Sequence, residues 1–456
     1  MPTDLLLSGL GDQRRDARGS VLLARMVEHE SAHLRVLART RAEEVGFTRW
    51  LDCRHFDAAT LRAGLRAHTA RRCWGRHHVL VVQDTTEINY RRHARRTRGL
   101  GPIGDPHGCG LFVHALLALD AEQGQCLGLL DAQPWVRTPR QGDHRRLPLE
   151  AKESLRWVQG LASAAEVAAA CRLVTVVADR EGDLYELFAR RPHERCHVLV
   201  RACRDRTLDD GRRLFATLDA LPACLGYSLA VPARPGRPGR HARLLVRYAA
   251  VCVPRPRRCR DAVASVALWA VTVSEEDAGV PAGQRIVWRL LTSHEVGSAA
   301  QALRVIEWYR QRWHIEQVFR VLKGQGLDLP ASQCVHAEGL SKLAVLSTHA
   351  AARIHQLVLA RDGGTPVPAG TVFEAGEVAT LAALLPQYEG KTAKQQNPHP
   401  PETLAWCAWI IARLGGWKGY RHSEGPPGPL TMRRGYERFA AIHQGYKLAQ
   451  RNLCKP

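Results

Sequence analysis

The chain has 456 residues, of which 45% are hydrophobic and 24% are charged, a composition that excludes a disordered protein and indicates a globular one. Lysine and arginine (65 residues) outnumber aspartate and glutamate (44 residues), which leaves a formal net charge of +21. A large chain this basic usually binds a polyanion, and nucleic acid is the leading candidate. The alternative is a charge excess that serves only solubility.

The cysteines and the apolar runs exclude further classes of protein. There are 13 cysteines, an odd number, and no two stand at CxxC spacing; neither a zinc ribbon nor a disulfide framework is therefore predicted. The N-terminus has no basic leader before an apolar segment, and no run reaches the roughly 18 to 20 apolar residues of a membrane span. We expect a cytoplasmic protein with no membrane partner.

Residues 1–75 are predicted to be helical, because apolar residues recur there at three- and four-residue spacing among charged ones. Near the start, "GDQRRDAR" places Arg14, Arg15 and Arg18 close together. On a helix, Arg18 shares a face with Arg14 or Arg15, which suits contacts with phosphate groups. A solvated basic face is the alternative.

The pattern changes to strands at His78. The runs "HHVLVVQD", "GLFVHALLALD" and "GQCLGLLDAQPW" predict a three-stranded antiparallel meander. A helix, the strand "RLVTVVAD", a second helix and the strand "CHVLVRACRD" follow, so the order predicts an α/β fold with a mixed sheet. A β-rich insertion is predicted at about 206–280 and a single long helix from Ser298 to Lys323, with helices again beyond Pro330.

Three acidic residues stand where a metal site is expected. Asp84 ends the first predicted strand, Asp179 ends "LVTVVAD", and Glu316 lies on the long helix. Ligand sites of open α/β sheets gather at the carboxyl ends of strands, so the two aspartates lie close together if their strands are neighbours. Three carboxylates suit Mg²⁺ or Mn²⁺, and two such ions promote phosphodiester chemistry. The alternative for each strand-end aspartate is a turn former.

The long helix carries a second signal. Tyr309, Arg312, Glu316 and Lys323 follow one another at offsets of 3, 4 and 7 residues. At roughly 100° per residue, these positions fall within one narrow stripe. A carboxylate beside a phenol, a guanidinium and an ammonium suits a metal-bound acid next to DNA phosphates. A surface stripe of ion pairs is the alternative.

The spacing Tyr–x2–Arg–x3–Glu–x6–Lys resembles the signature of the insertion-sequence DDE transposases that cut DNA through hairpin intermediates. The best-studied relatives mobilise a bacterial composite transposon. Further segments resemble the same family in the family's order: "GLGDQRRDAR", "VVQDTTEINY", "KESLRW", "VVADREGDLYELF", "RIVWRLLTS", "PPETLAWCAWIIARLGGWKGY" and "PPGPLTMRRG". The resemblance covers nearly the whole chain.

The resemblance implies a division of the chain into three parts. Residues 1–75 would form a helical DNA-binding region, and residues 76–330 an α/β catalytic domain of the ribonuclease-H-like type, interrupted by the β-rich insertion. Residues 331–456 would form a helical region for dimerisation and DNA contacts.

The resemblance also assigns roles to single residues. Asp84, Asp179 and Glu316 would carry two Mg²⁺ or Mn²⁺ ions. Residues that would contact DNA are Tyr309, Arg312, Lys323, Arg320, Arg14, Arg15, Arg18 and Trp288. Trp288 stands where the family has a tryptophan that stacks on a base flipped out of the hairpin, and a core aromatic is its alternative. Phe319 and Arg320 replace the His–Lys pair of the best-studied relatives, and neither side chain supplies an imidazole.

The expected function is cut-and-paste transposition of a bacterial insertion sequence by a homodimer assembled on double-stranded DNA, associated with the nucleoid. The expected steps are strand nicking, hairpin formation, hairpin resolution and strand transfer, all in-line phosphoryl transfers at one site. The alternatives are a metal-dependent nuclease, a DNA-binding regulator derived from a transposase, and a glycosidase with paired acids.

Overall fold

The computed structural model describes residues 6–93, 96–138, 147–168, 171–231, 238–277, 279–324, 326–361, 367–420 and 425–453. The chain divides into two compact units. Unit 1 comprises the described residues of Met1–Arg72, Thr85–Arg140 and His314–Pro456, and unit 2 those of Cys73–Asp84 and Gln141–Trp313. The predicted three-part division of the chain stays a prediction.

The strands and helices of the described residues are numbered in chain order. The strands are β1 (His78–Asn89), β2 (Gly101–Pro102), β3 (Cys109–Asp120), β4 (Cys126–Trp135), β5 (Leu173–Ala178), β6 (Cys196–Arg201), β7 (Leu225–Val231), β8 (Arg240–Pro254), β9 (Ser265–Glu275) and β10 (Val287–Thr292). The helices are α1 (Gln13–His29), α2 (Leu34–Leu37), α3 (Arg41–Leu51), α4 (Ala58–Cys73), α5 (Leu155–Ala168), α6 (Tyr185–Ala189), α7 (Leu214–Ala220), α8 (Ala299–Arg310), α9 (Trp313–Lys323), α10 (Ala337–Ala360), α11 (Ala375–Tyr388), α12 (Leu404–Leu414) and α13 (Pro429–Leu453).

Unit 2 is built on a mixed sheet with the strand order β1-β5-β6-β10-β9-β8-β7. Strands β1, β5 and β6 run parallel, and β10, β9, β8 and β7 pair antiparallel. Strand β5 is the continuous apolar run "LVTVVA", buried at every position but the first, as expected for a strand covered on both faces. The predicted α/β class with a mixed sheet is therefore confirmed.

The stretch predicted to be a β-rich insertion, about 206–280, contains β7, β8 and β9 and only one short helix, α7, among its described residues. Strands β8 and β9 pair along eleven positions, from Leu244↔Glu275 to Pro254↔Ser265. Residues 232–237 and 278 of this stretch lie outside the described residues.

Unit 1 combines helices with the antiparallel pair of β3 and β4. The turn between these strands is polar, and the carboxylate of Asp120 accepts the backbone N–H groups of Glu122 and Gln123 there. The first helix, α1, begins after Asp12, whose side chain accepts the backbone N–H of Arg14, and buries an apolar stripe. Helix α10 packs against β4 and α1 and supplies much of the core of this unit.

Two predicted boundaries are wrong. Strand β1 does not end on Asp84 but continues to Asn89, because the alternation of buried positions goes on through Thr86 and Ile88. The helix predicted from Ser298 to Lys323 is interrupted at residues 311–312, where a turn separates α8 from α9. No glycine or proline stands at this break, which coincides instead with a tertiary ion pair of Arg312.

In the part of the chain that the structure describes, no helix combines the length and apolar character needed to cross a membrane.

Candidate functional site

Asp84 and Asp179 lie side by side at the carboxyl edge of the parallel strands of unit 2. Strands β1 and β5 are neighbours, and Gln83↔Ala178 is the last pair of their register. Asp84 and Asp179 are the next residues of the two strands. Positions in register on neighbouring strands point to the same face, about 5 Å apart. The condition on which the sequence-based hypothesis depended, that these strands are neighbours, is met.

Asp179 is held in place by the chain that follows it. Its Oδ1 accepts the backbone N–H of Glu181 at 2.8 Å and so caps a short helical turn, Arg180–Gly182. A Cβ at Gly182 would lie 2.5 Å from the Cβ of Ala178, so the tight turn requires glycine. Asp179 is thus a turn former through one oxygen; within the described residues, its Oδ2 has no hydrogen-bond partner.

Asp84 is buried and pairs with Arg312. The guanidinium donates from Nη1 to Oδ2 of Asp84 at 3.0 Å, and the side chains of Arg312 and Asp84 are only 16% and 11% exposed. A charge-assisted bond of this kind fixes the orientation of the carboxylate. At the turn between α8 and α9, Arg312, a residue predicted to bind phosphate, therefore contacts Asp84, a predicted metal ligand.

Tyr309, in the last turn of α8, lies near the guanidinium of Arg312. Burial raises the pKa of Tyr309, and the guanidiniums of Arg312 and Arg201 oppose this effect. Arg201 hydrogen-bonds to Tyr309, and its Nη2 donates to the backbone carbonyl of Val287 at 2.9 Å. Because burial raises its pKa, the phenol stays protonated at neutral pH and can donate a hydrogen bond.

Arg201 is a residue that the sequence analysis missed. It ends β6, and because Ala178 pairs with Val200, Arg201 is level with Asp179 on the adjacent strand. Burial lowers the pKa of its guanidinium, although Tyr309 opposes this effect. The signal was present in "CHVLVR", where a basic residue ends the next apolar strand after "LVTVVAD".

Trp288 lies on β10 with its ring edge-on to that of Tyr309, at 5.7 Å between centroids. It is half-buried, and its role as a base-stacking residue stays a prediction. Unit 2 therefore brings together two carboxylates, two guanidiniums, a phenol and an indole around one strand edge. The carboxylates suit a hard cation, the guanidiniums and the phenol suit phosphate oxygens, and the indole suits a nucleobase.

The other predicted residues of the helix pattern lie in unit 1. Glu316, Arg320 and Lys323 fall on one face of α9, at spacings of four and three residues. Glu316 is half-buried and the two cations are exposed, whereas Phe319 is buried in the core. Because Tyr309 precedes the turn at residues 311–312, the predicted stripe does not follow a single continuous helix.

Within the described residues, no group of three or more histidine, cysteine, aspartate or glutamate side chains is close enough to hold a metal ion. The donor chemistry still fits a hard divalent cation, since Asp84 and Asp179 present oxygen atoms at adjacent strand positions. The role of Asp84, Asp179 and Glu316 as metal ligands stays a prediction.

The N-terminal arginines are not equivalent. Arg14 and Arg18 are exposed on one face of α1, beside an open groove of about 540 Å³ between α1 and α3. The guanidinium of Arg15 instead donates to the backbone carbonyl of Leu10 at 2.8 Å. The structure therefore separates Arg15, which has a structural contact, from the other two.

Residues 122–352, just over half of the chain, match a protein family described as the transposase DDE domain. A solved structure with similarity to the chain is that of the piggyBac transposase synaptic complex with hairpin DNA, determined by cryo-EM. The TM-score is 0.39 and the sequence identity 10%, over 97% of this chain and 74% of that chain.

Proposed function

The chain belongs to the transposase DDE domain family, and we propose that it carries out cut-and-paste transposition of a bacterial insertion sequence. The observation that carries this proposal is the alignment of Asp84 with Asp179 just beyond the last pair of the β1–β5 register, together with the ion pair between Arg312 and Asp84. A DDE enzyme requires acids in this position, and a cation-binding edge flanked by guanidiniums suits a phosphodiester.

The catalytic domain is proposed to be of the ribonuclease-H-like type. Three parallel strands, β1, β5 and β6, support this in unit 2, with Asp84 and Asp179 next to the last pair of the β1–β5 register. In unit 1, the antiparallel pair of β3 and β4 supports it, together with the bond from the N–H of Tyr90, just after β1, to the carbonyl of Cys109 on β3. The helical regions 1–75 and 331–456 would bind DNA and form the homodimer.

Asp84, Asp179 and Glu316 would hold two Mg²⁺ or Mn²⁺ ions. Bound there, the ions would supply Lewis-acid stabilisation of the attacking and leaving oxygens of a phosphodiester. The protein's own contribution is orientation: the backbone N–H of Glu181 holds Asp179 and the guanidinium of Arg312 holds Asp84. Both carboxylates are thus held by hydrogen bonds from the protein itself.

The remaining residues are proposed to position the DNA. Arg201 and Tyr309 present donors to a phosphate beside the acids, and Trp288 presents an aromatic face to a base unstacked at the hairpin turn. Arg320 and Lys323 would contact phosphates from α9. Strand nicking, hairpin formation, hairpin resolution and strand transfer are then successive displacements at phosphorus that need no covalent intermediate with the protein.

Cleavage of DNA carrying the inverted repeats that flank the gene tests this function. Wild-type protein with Mg²⁺ should give nicked and hairpin products, and joined product when a target plasmid is added. Asp84→Asn, Asp179→Asn and Glu316→Gln should each lower cleavage by about 10³-fold or more, because several kcal/mol of transition-state stabilisation are lost. Binding of the same DNA should change by less than about twofold.

The matched controls Asp209→Asn and Glu295→Gln remove exposed acids outside the site and should cut normally. Cleavage retained in any of the three site variants contradicts the metal assignment. Cleavage without joined product favours the nuclease alternative, and specific binding without cleavage favours the regulator.

A further inference from the structure

The loop between β8 and β9, residues 255–264, concentrates positive charge outside the candidate site. We call it the arginine loop. Its sequence "RPRRCRDAVA" has four arginines and one acid, and all four arginines are exposed: Arg255, Arg257, Arg258 and Arg260. The strands that carry it are paired up to Pro254↔Ser265, so the loop projects from the end of a long two-stranded ladder.

The arginine loop is fixed to the body of unit 2. Its one acid, Asp261, is buried and accepts a bond of 2.6 Å from Nε of Arg190, at the end of α6. The hydroxyl of Tyr185 donates to the carbonyl of Val263 at 2.9 Å. Arg255 closes the loop, since its backbone N–H donates to the carbonyl of Ala264 at 2.8 Å. The loop therefore has a defined conformation and its carboxylate is already paired.

The remaining three arginines of the loop have no carboxylate partner in the described part of the chain, because the one carboxylate of the loop is paired with Arg190. Among the described residues, Arg257, Arg258 and Arg260 form no ion pair or side-chain hydrogen bond. Three exposed like charges within four residues repel one another, and a bound polyanion relieves that repulsion. Arginine forks match phosphate oxygens in pairs, so a phosphate backbone fits this loop better than isolated carboxylates do.

The position of the loop separates it from the acids. In the register of the sheet, Trp269 of β9 pairs with Thr292 of β10, which in turn pairs with Leu199 of β6. Asp179 lies level with Arg201 of β6, two residues beyond Leu199. Counted along the strands, the last pair before the loop, Pro254↔Ser265, lies six residues toward the amino edge from the acids, about 20 Å. Exposed Arg172 and Arg195, just before β5 and β6, continue the basic surface at the same edge.

We propose that the arginine loop is a second DNA-binding surface, which holds the phosphate backbone of duplex DNA without reading its sequence. The proposal rests on the proposed function only for the choice of DNA as the polyanion. About 20 Å corresponds to about six base pairs, so the loop binds duplex at a point that the catalytic edge does not cut. It adds affinity and leaves the chemistry at Asp84 and Asp179 unchanged.

The salt dependence of binding tests this proposal. The triple variant Arg257→Ala/Arg258→Ala/Arg260→Ala is compared with the wild type by fluorescence anisotropy on a random duplex of about 30 base pairs. The slope of log K against log salt should fall by about 2 to 3, because each lost phosphate contact contributes about 0.9. The triple lysine variant keeps the charge and should keep most of the slope.

A matched control removes the same charge from scattered exposed sites: Arg304→Ala/Lys391→Ala/Arg434→Ala. Its slope should change by less than about 1. If the alanine triple melts lower than the wild type, the single variants Arg257→Ala and Arg258→Ala replace it, each with an expected slope change of about 0.9.

An unchanged slope in the triple variant overturns the proposal, as does a slope change equal to that of the control. The proposal is also overturned if the wild type binds single-stranded RNA more tightly than duplex DNA and the triple variant loses that RNA binding. The variant should still cut end DNA at saturating protein concentration. If the wild type cuts no DNA but the triple variant changes the slope, the proposed function is rejected and the DNA-binding role of the arginine loop is retained. If the wild type cuts DNA normally and the slope does not change, the role of the loop is rejected and the proposed function is retained.

Discussion

The guanidinium of Arg312 and the carboxylate of Asp84 form a buried hydrogen-bonded ion pair at 3.0 Å, although 228 positions separate them in the chain. The pair stands at the point where α8 gives way to α9. It connects the helix region that carries Tyr309 to the strand that carries the first acid, both within unit 2.

Replacing Arg312 by alanine should destabilise the protein, because Asp84 then remains as a buried charge without this partner. We expect the free energy of unfolding to fall by about 3 kcal/mol, measured by urea titration without divalent metal. If Asp84 is a metal ligand, Mg²⁺ should raise the melting temperature of the variant more than that of the wild type. Arg310→Ala, which breaks an exposed pair with Glu307, should cost less than about 1 kcal/mol. Equal losses in the two variants would contradict the structural role of Arg312.

Trp288→Ala should affect hairpin formation more than nicking. Stacking of a base on an aromatic ring contributes about 1–3 kcal/mol, so the yield of hairpin per nicked strand should fall about 5- to 150-fold. Trp288→Phe should recover part of the loss. The measurement is the ratio of hairpin to nicked product on a denaturing gel, with Trp74→Ala as control for an indole that is 76% exposed. A constant ratio would return Trp288 to a packing role beside Tyr309.

The N-terminal arginines should differ in their effects. Arg14→Ala and Arg18→Ala remove exposed guanidiniums and should each lower the salt slope of end-DNA binding by about 0.9 with little change in melting temperature. Arg15→Ala loses the bond to the carbonyl of Leu10 and should instead lower the free energy of unfolding by about 1 kcal/mol. Titration of binding against salt and thermal melting separate the two outcomes. Identical behaviour of the three variants would favour a solvated basic face.

Acid should destabilise unit 2 through His294. This ring stacks on His197 at 3.9 Å between centroids, and its Nε2 lies 2.6 Å from the hydroxyl of Thr175. Burial, with smaller contributions from His197, His78 and Arg191, lowers the pKa of His294 to about 2. An unfolded histidine titrates near pH 6.5, so below that pH the unfolded state binds a proton that the folded state excludes.

The contribution of His294 is therefore fully present above about pH 6.5 and decreases as the pH falls, by about 2 kcal/mol at about pH 5. Urea unfolding at about pH 7.5 and about pH 5 measures the difference. His294→Gln should reduce it, whereas His336→Gln, at an exposed ring, should leave it unchanged. An equal pH dependence in wild type and His294→Gln would contradict this prediction.

Local pattern was sufficient for part of this structure. The apolar run "LVTVVA" predicts β5 because a strand covered on both faces needs no polar alternation. Ser298 was predicted as a helix start, and its side chain accepts the backbone N–H of Gln301, one turn ahead. The acids were found because the carboxyl ends of strands are where ligand sites gather in any α/β order.

Long-range contacts account for what local pattern missed. The break at residues 311–312 was not predicted, because it contains no glycine or proline and the partner of Arg312 lies on the distant strand β1. Arg201 gains its significance only from the β5–β6 register, which places it level with Asp179. Strand β1 passes beyond Asp84 because its carboxyl half has its own hydrogen bonds; the hydroxyl of Thr85, for example, lies 2.9 Å from Nδ1 of His114. None of these relations is encoded within a single window of sequence.

The pairing of Gln83 with Ala178 makes the site sensitive to deletion of a residue, a change that substitutions do not test. Removing one residue from β1 ahead of Asp84 would shift that acid by about 3.3 Å and turn its side chain to the other face of the sheet. Every acid would still be present in such a sequence, and a search for the three carboxylates would still succeed. A related gene with an in-frame deletion there should therefore encode a protein that folds around the same strands and cuts no DNA.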